Sequence, residues 1–220
     1  MKTSKSLLAA ALIAAAVPAL QGCFPLVAGG VAVGALAVAD RRTVGTQTED
    51  EAIEWKAQKR ISDRFKDKAH VNVTSYNRKA LITGEAYDEA MKTEIGDIVS
   101  KVENVQGVWN EMEVGPIRSL SSRSNDAYVT SKVKARFVDY NQFAPNHVKV
   151  VTEAGAVYLL GIVNEREAKS AVQIARTTDG VKKVVNLLEV VSEAETRRID
   201  SAISGQAPKS APASAPAQNP

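Results

Sequence analysis

The order of apolar and polar positions is repeated in two parts of the chain. The stretch HVNVTSYNRKALITG at 70–84 and the stretch HVKVVTEAGAVYLLG at 147–161 each contain two segments of alternating apolar residues with a short polar turn between them. This alternation predicts two β-strands joined in a hairpin. Because matching positions in the two stretches keep a constant separation, the sequence predicts two copies of one small module.

Apolar residues at helical spacing flank each predicted hairpin. One helix precedes the hairpin, a second follows it, and a Gly-Val pair then leads into a last strand. The predicted helices and closing strands of the first and second modules are, in turn, 51–66 and 126–140, 88–102 and 165–177, and 108–114 and 181–190. The predicted fold class is therefore α+β, with two tandem αββαβ modules that each pack a three-stranded mixed sheet on two helices.

The N-terminal residues have the three parts of a bacterial lipoprotein signal. Two lysines precede an apolar run at 7–20 that is too short for a transmembrane helix, and the run ends in LQGC at 20–23. In this pattern the cysteine thiol is diacylated and the chain is then cleaved before it. We predict lipidation of Cys23 and removal of residues 1–22. The alternative is a free, buried cysteine.

The residues that flank the two modules complete the predicted organisation. Phe24, rather than an aspartate, follows the cysteine, which by resemblance to lipoprotein signals implies the periplasmic leaflet of the outer membrane. The C-terminal residues are rich in Ala, Pro and Ser and predict disorder. The predicted parts are a signal peptide (1–22), the acylated cysteine with a membrane-proximal spacer (23–47), module one (48–115), a linker (116–123), module two (124–192) and a C-terminal extension ending in a disordered tail (193–220).

Composition and motifs exclude several classes of function. The chain has 28 basic and 25 acidic residues, a net charge of +3, which is too balanced to indicate nucleic-acid binding. It has no nucleophile elbow, phosphate-binding loop or dinucleotide motif, so we predict a protein that is not an enzyme and uses no cofactor. His70 and His147 begin equivalent strands. We expect structural roles for both and no metal site, because neither has a neighbouring cysteine or carboxylate pair in sequence.

The repeated pattern is similar to a known family. The αββαβ order, the V-x-V and L-x-G hairpin and the closing Gly-Val strand resemble the BON domain over residues 48–190. Together with the lipobox, the segments DRRTVGTQ and SNDAYVTSKVKARF resemble outer-membrane lipoproteins that carry two such domains. The resemblance implies binding of anionic phospholipid, especially phosphatidylglycerol. It also implies enrichment at the division site, support of envelope integrity and cell division, and partners among envelope or division proteins.

The first helix of module two carries the candidate lipid-binding residues. On a wheel of about 100° per residue, Tyr128, Ser131 and Lys132 lie away from a predicted core stripe of Val129, Val133, Phe137 and Tyr140. A tyrosine can place its ring among acyl chains, and nearby cations can approach phosphates. The candidate residues are Tyr128, Ser131, Lys132, Lys134, Arg136 and Arg123.

Two alternatives stay open for this helix and for the whole chain. The helix could be a solvated surface element whose Tyr128 packs on the neighbouring module. The chain could be a protein-interaction scaffold that recruits an envelope assembly or cell-wall remodelling machine.

Overall fold

The computed structural model describes residues 40–203. Cys23, the predicted signal peptide, most of the predicted spacer and the Pro/Ala-rich tail lie outside these residues. The described part of the chain forms two αββαβ modules and one further helix. Within residues 40–203, no helix has both the length and the apolar character that a membrane crossing requires.

Module one contains a mixed sheet and two helices. Its elements are α1 (Val44–Phe65), a 3-10 turn (Lys66–Lys68), β1 (His70–Tyr76), β2 (Lys79–Ala86), α2 (Glu89–Ser100), β3 (Gly107–Asn110) and β4 (Glu113–Val114). Strands β1 and β2 form an antiparallel hairpin, and the left-handed φ values of 52° and 63° at Asn77 and Arg78 suit its tight turn. Strands β3 and β4 pair in parallel with successive parts of β2, so the third position of the sheet is shared by two short segments.

Module two repeats this plan and is followed by a helix that the sequence pattern did not predict. Its elements are α3 (Leu120–Tyr140), a 3-10 turn (Pro145–His147), β5 (Val148–Glu153), β6 (Ala156–Val163), α4 (Glu165–Arg176) and β7 (Lys183–Val190), with α5 (Glu193–Ile203) after them. Strand β6 pairs antiparallel with β5 and parallel with β7. The predicted fold class, two tandem αββαβ modules with mixed sheets, is confirmed.

The described residues form three apolar clusters, one inside each module and one between the modules. Each module packs its helices on one face of its own sheet, with buried residues such as Ile53 and Ile82 in module one and Val133 and Leu159 in module two. The third cluster lies on the other faces of the sheets and joins both modules; its buried members are Tyr76, Leu81, Tyr158, Leu160 and Ile162. The central strands β2 and β6 are therefore buried on both faces, which explains their nearly continuous apolar sequence.

The predicted start of the first helix of module two is wrong. The hydroxyl of Ser119 accepts the N–H of Ser122 and caps α3, so residues 120–123 of the predicted linker form its first turn. Asp126, the first residue of the predicted helix, is buried inside α3 and accepts the N–H groups of Ala154 and Gly155 at 3.0 and 2.8 Å. Its carboxylate therefore anchors the hairpin turn.

The predicted core stripe of the same helix is correct except at its last position. Val129, Val133 and Phe137 are buried, but Tyr140 is 45% exposed. Phe143 takes the core position instead, with its ring centroid 5.2 Å from that of Phe137 in an edge-to-face arrangement. The helix ends at Tyr140 with Asn141 in the left-handed region, and this turn brings the chain back to the core.

Candidate lipid-binding helix face

Helix α3 exposes large apolar side chains on the side opposite its core stripe. Leu120, Tyr128 and Val138 have exposed fractions of 71%, 62% and 60%. At about 100° per residue these three side chains fall within an arc of about 80°, along a length of about 27 Å. The outer face of α3 is therefore an apolar strip. Leu120 and Val138 were not among the predicted site residues. Leu120 fell in the predicted linker, and the local sequence does not indicate that Val138 belongs to a binding surface.

Lys132 lies next to Tyr128 but is already paired. Its Nζ is 4.8 Å from the centroid of the Tyr128 ring and 2.9 Å from a carboxylate oxygen of Asp179. The hydrogen bond and the charge of Lys132 lower the pKa of Asp179. Because the Asp179 side chain is almost fully exposed, this ion pair is weak and can exchange for a contact with another anion.

The structure separates the remaining predicted residues into two groups. Ser131 and Lys134 are exposed, and the Ser131 hydroxyl donates to the carbonyl of Ala127. The Nη1 of Arg136 donates to the carbonyl of Ile174 at 2.9 Å and to the Thr178 hydroxyl at 2.8 Å, at the end of α4.

This placement argues against Arg136 as a headgroup ligand and gives it a role in joining α3 to α4. Arg123 is half-buried, and within residues 40–203 its buried Nε has no hydrogen-bond partner. The exposed face therefore brings together Tyr128, Ser131 and Lys132, with Lys134 at its edge.

The turn before β7 and the start of β7 carry two further exposed lysines. A Cβ atom built at Gly180 would lie 3.4 Å from the Nζ of Lys132, so the turn before β7 runs alongside α3. Lys182 and Lys183 follow in this turn and at the start of β7, and both are exposed. In the sequence these lysines are part of the predicted closing strand, and a local pattern does not show the proximity of two segments about 50 residues apart.

Arg41 fixes the last part of the predicted spacer to module two. Its guanidinium is 2.6 Å from one carboxylate oxygen of Glu167, 2.8 Å from Asp200 of α5 and 2.9 Å from the carbonyl of Ile162. Burial by itself would raise the pKa of Glu167, but the nearby His147 imidazole and the hydrogen bonds and charge of Arg41 lower it to about 2. The neighbouring Arg42 pairs with Asp50 of module one, so this segment holds both modules.

Comparisons with known proteins identify the family of this chain. Residues 49–116 and residues 125–192 each match the BON domain, and together they make up more than half of the chain. The chain belongs to the BON domain family. Its two BON domains contain the two sheets described above, and the predicted family resemblance is confirmed.

The relatives with the same domain come from several bacteria. The chain is 36% identical over 172 residues to the outer membrane lipoprotein DolP of Haemophilus influenzae, covering 77% of this chain and 89% of that protein. It is 30% identical to a 21 kDa hemolysin of Actinobacillus pleuropneumoniae, covering 69% and 79%. It is 29% identical to the osmotically-inducible protein Y of Escherichia coli, covering 66% and 75%. The chain is therefore a dual-BON protein of the DolP type.

One solved structure of a more distant protein also aligns with this BON chain. CdsD, a structural protein of the type III secretion system of Chlamydia trachomatis, is 14% identical over 74% of this chain, with a TM-score of 0.28. This value is too low to support an argument about fold or function.

Proposed function

We propose that the chain is an outer membrane lipoprotein that binds anionic phospholipid through the outer face of α3. In this proposal Cys23 carries the acyl chains that hold the protein in the periplasmic leaflet, and the protein supports envelope integrity and cell division. The similarity to DolP and the lipoprotein signal support the anchor. The observation that carries the lipid-binding part is the exposed apolar strip of Leu120, Tyr128 and Val138 beside lysines.

The chemistry of this face suits the surface of a negatively charged membrane. Leu120 and Val138 would enter the acyl boundary, and the Tyr128 ring would lie there with its hydroxyl among the headgroups. Each lysine close to an anionic surface contributes about 1 kcal/mol. Lys132 would exchange Asp179 for a headgroup phosphate, and Lys134 needs no such exchange because it is exposed. Phosphatidylglycerol carries the negative charge that this arrangement favours.

Flotation with vesicles tests the lipid-binding part. An unacylated fragment of residues 40–203 should float with phosphatidylglycerol vesicles, less so as salt is raised, and weakly with neutral vesicles. Tyr128→Glu should reduce flotation because a charge at this position opposes both insertion and the negative surface potential. The fold should be unaffected, since the side chain is 62% exposed.

Trp55 provides a matched control for Tyr128. It lies on α1, the corresponding helix of module one, and is 67% exposed. Trp55→Glu therefore makes the same kind of change on the other module, and flotation should stay at the level of the parent. Equal loss in both variants would mean that module two has no special role in lipid binding.

The apolar strip also fits a second candidate function, a scaffold that recruits envelope proteins. An exposed helix face with three large apolar side chains is typical of protein contacts as well. A folded Tyr128→Glu variant that floats like the parent, but fails to restore envelope integrity in cells, would favour this scaffold.

A further inference from the structure

Three side chains with metal-binding groups meet where the two modules touch. His70 begins β1 and lies directly opposite Glu85 of β2 in the hairpin register. Its Nδ1 is 3.2 Å from Oε2 of Glu85. Glu153, the last residue of β5 in module two, comes close to this pair, so that one ligand atom from each of the three side chains lies within 4.8 Å of the others. The sequence had given no sign of carboxylates near His70.

This cluster, which we call the junction triad (His70, Glu85 and Glu153), holds buried negative charge. Glu85 and Glu153 are only 2% and 6% exposed. Asp126 is a further carboxylate near Glu153, although the N–H groups of the hairpin turn already satisfy its oxygens. Two acidic side chains placed this closely favour a proton or a cation between them.

Asn72 and Arg118 contact the two carboxylates of the junction triad. Asn72 donates its Nδ2 hydrogen to Oε2 of Glu153 at 3.1 Å. The Nε of Arg118 is 3.1 Å from Oε1 of Glu85, but this buried oxygen accepts no hydrogen bond within residues 40–203. Arg118 also pairs with Glu113 at 2.8 Å, so its charge is shared. The Glu85 oxygen that faces His70 is the other one, Oε2, and it also accepts the backbone N–H of Arg118 at 3.4 Å.

We propose that the junction triad is a binding site for a divalent transition-metal cation of the zinc class, shared between the two modules. One imidazole nitrogen and two carboxylate oxygens are a ligand set that zinc accepts, with water as a fourth ligand. Tetrahedral zinc needs ligand atoms about 3.4 Å apart, so the Glu153 side chain has to rotate towards His70. Asn72 and Arg118 then hold the outer carboxylate oxygens in place, as second partners of metal ligands do. A bound cation would join β1 and β2 of module one to β5 of module two.

His147 gives a matched comparison inside the same chain. It is the repeat counterpart of His70, and it also lies near carboxylates, 3.6 Å from Glu167 and 4.0 Å from Asp200. Both carboxylates are bound by the guanidinium of Arg41. At this position Arg41 hydrogen-bonds both carboxylates, whereas among the described residues Arg118 contacts Glu85 of the junction triad but not Glu153. We therefore expect zinc to bind the junction triad and not the carboxylates beside His147. The two histidines are the only ones in the sequence, which makes their imidazole NMR signals easy to distinguish.

Zinc titration of the full-length protein in detergent tests the proposal. Calorimetry should show one zinc ion per chain, zinc should raise the unfolding temperature, and the His70 imidazole signals should shift while those of His147 stay in place. His70→Asn and Glu153→Gln should each weaken zinc binding about tenfold or more. His147→Asn should bind zinc like the parent, and circular dichroism should show that all three variants are folded.

Glu153→Gln keeps the test informative even if His70→Asn does not fold. It removes a buried charge but keeps an oxygen for Asn72, so the zinc-free variant should be at least as stable as the parent. Zinc should then no longer raise its unfolding temperature. Failure of the parent to bind excess zinc, or equal binding by the parent and Glu153→Gln, would overturn the proposal. Neither outcome depends on lipid binding by α3.

Discussion

At the scale of single residues, two glycines allow the hairpin strands to approach the chain before them. A Cβ atom built at Gly161 would lie 2.2 Å from the carbonyl oxygen of His147. At Gly84, the matching position of module one, it would lie 2.0 Å from the carbonyl oxygen of His70, and φ there is +112°. Because backbone has to move to admit a methyl group, we expect Gly84→Ala and Gly161→Ala each to lower the free energy of unfolding by about 2 kcal/mol or more.

Urea denaturation measures this loss, and Gly115 supplies the control. A Cβ atom at Gly115 would meet nothing within 4 Å, so Gly115→Ala should change stability by less than about 0.5 kcal/mol. If Gly161→Ala unfolded at the same urea concentration as Gly115→Ala, the close approach of β6 to His147 would be wrong. The repeat in the sequence predicted that these two glycines are equivalent, and the carbonyl contacts supply the physical reason.

At the scale of elements, two nearby cationic residues of α3 have different surroundings. Arg136 donates to a carbonyl and a hydroxyl at the end of α4, whereas Lys134 is exposed. We expect Arg136→Ala to lower the free energy of unfolding by about 1–3 kcal/mol, the range for a hydrogen bond from a charged group. Lys134→Ala should leave stability within about 0.5 kcal/mol and weaken flotation with phosphatidylglycerol vesicles.

Urea denaturation and flotation of the two variants, measured side by side, check this division of roles. The opposite pattern, a stable Arg136→Ala that no longer floats, would return Arg136 to the lipid-binding residues.

The sequence pattern predicted the elements where apolar periodicity is strong and missed those where it is weak. The hairpins and the core stripe of α3 were predicted because their apolar positions are regular. The first turn of α3 was missed because its residues, LSSR, are mostly polar, and Leu120, the one apolar residue among them, is exposed and does not continue the core stripe. The lipid-binding candidates were predicted in part, since local spacing identified Tyr128 and Lys132 but could not show that Arg136 reaches α4.

At the scale of the whole molecule, buried ion pairs connect parts that are far apart in sequence. Arg41 meets Glu167 and Asp200 across separations of 126 and 159 residues, and it thereby holds the start of the described chain, module two and α5 together. No local pattern predicts such a contact. The segment DRR contributed to the family resemblance, but only the structure gives its arginines a physical role.

The Arg41–Glu167 pair predicts how stability depends on pH. The folded pKa of Glu167 is about 2, below the value of about 4.3 for an unpaired glutamate. A group whose pKa is lowered by folding contributes its full stabilisation above the unfolded pKa, and the contribution is lost as pH falls towards the folded pKa. We therefore expect the free energy of unfolding to fall between about pH 5 and pH 2. We also expect α5 amides to exchange faster there, because protonated Glu167 holds Arg41, the partner of Asp200 in α5, less firmly.

Comparison with two glutamine variants isolates the contribution of Glu167, since other carboxylates titrate in the same range. Glu167→Gln should be less stable than the parent at neutral pH, because Arg41 loses one of its two charged partners, and the difference should shrink as the pH is lowered to about 2. Glu165→Gln is the control: it lies in the same turn of α4, but its side chain is exposed and forms an ion pair with the exposed Lys169. Its pH profile should follow that of the parent. Urea denaturation at a series of pH values measures all three proteins, and a constant difference between Glu167→Gln and the parent across this range would show that the Glu167 carboxylate is not held ionised by Arg41.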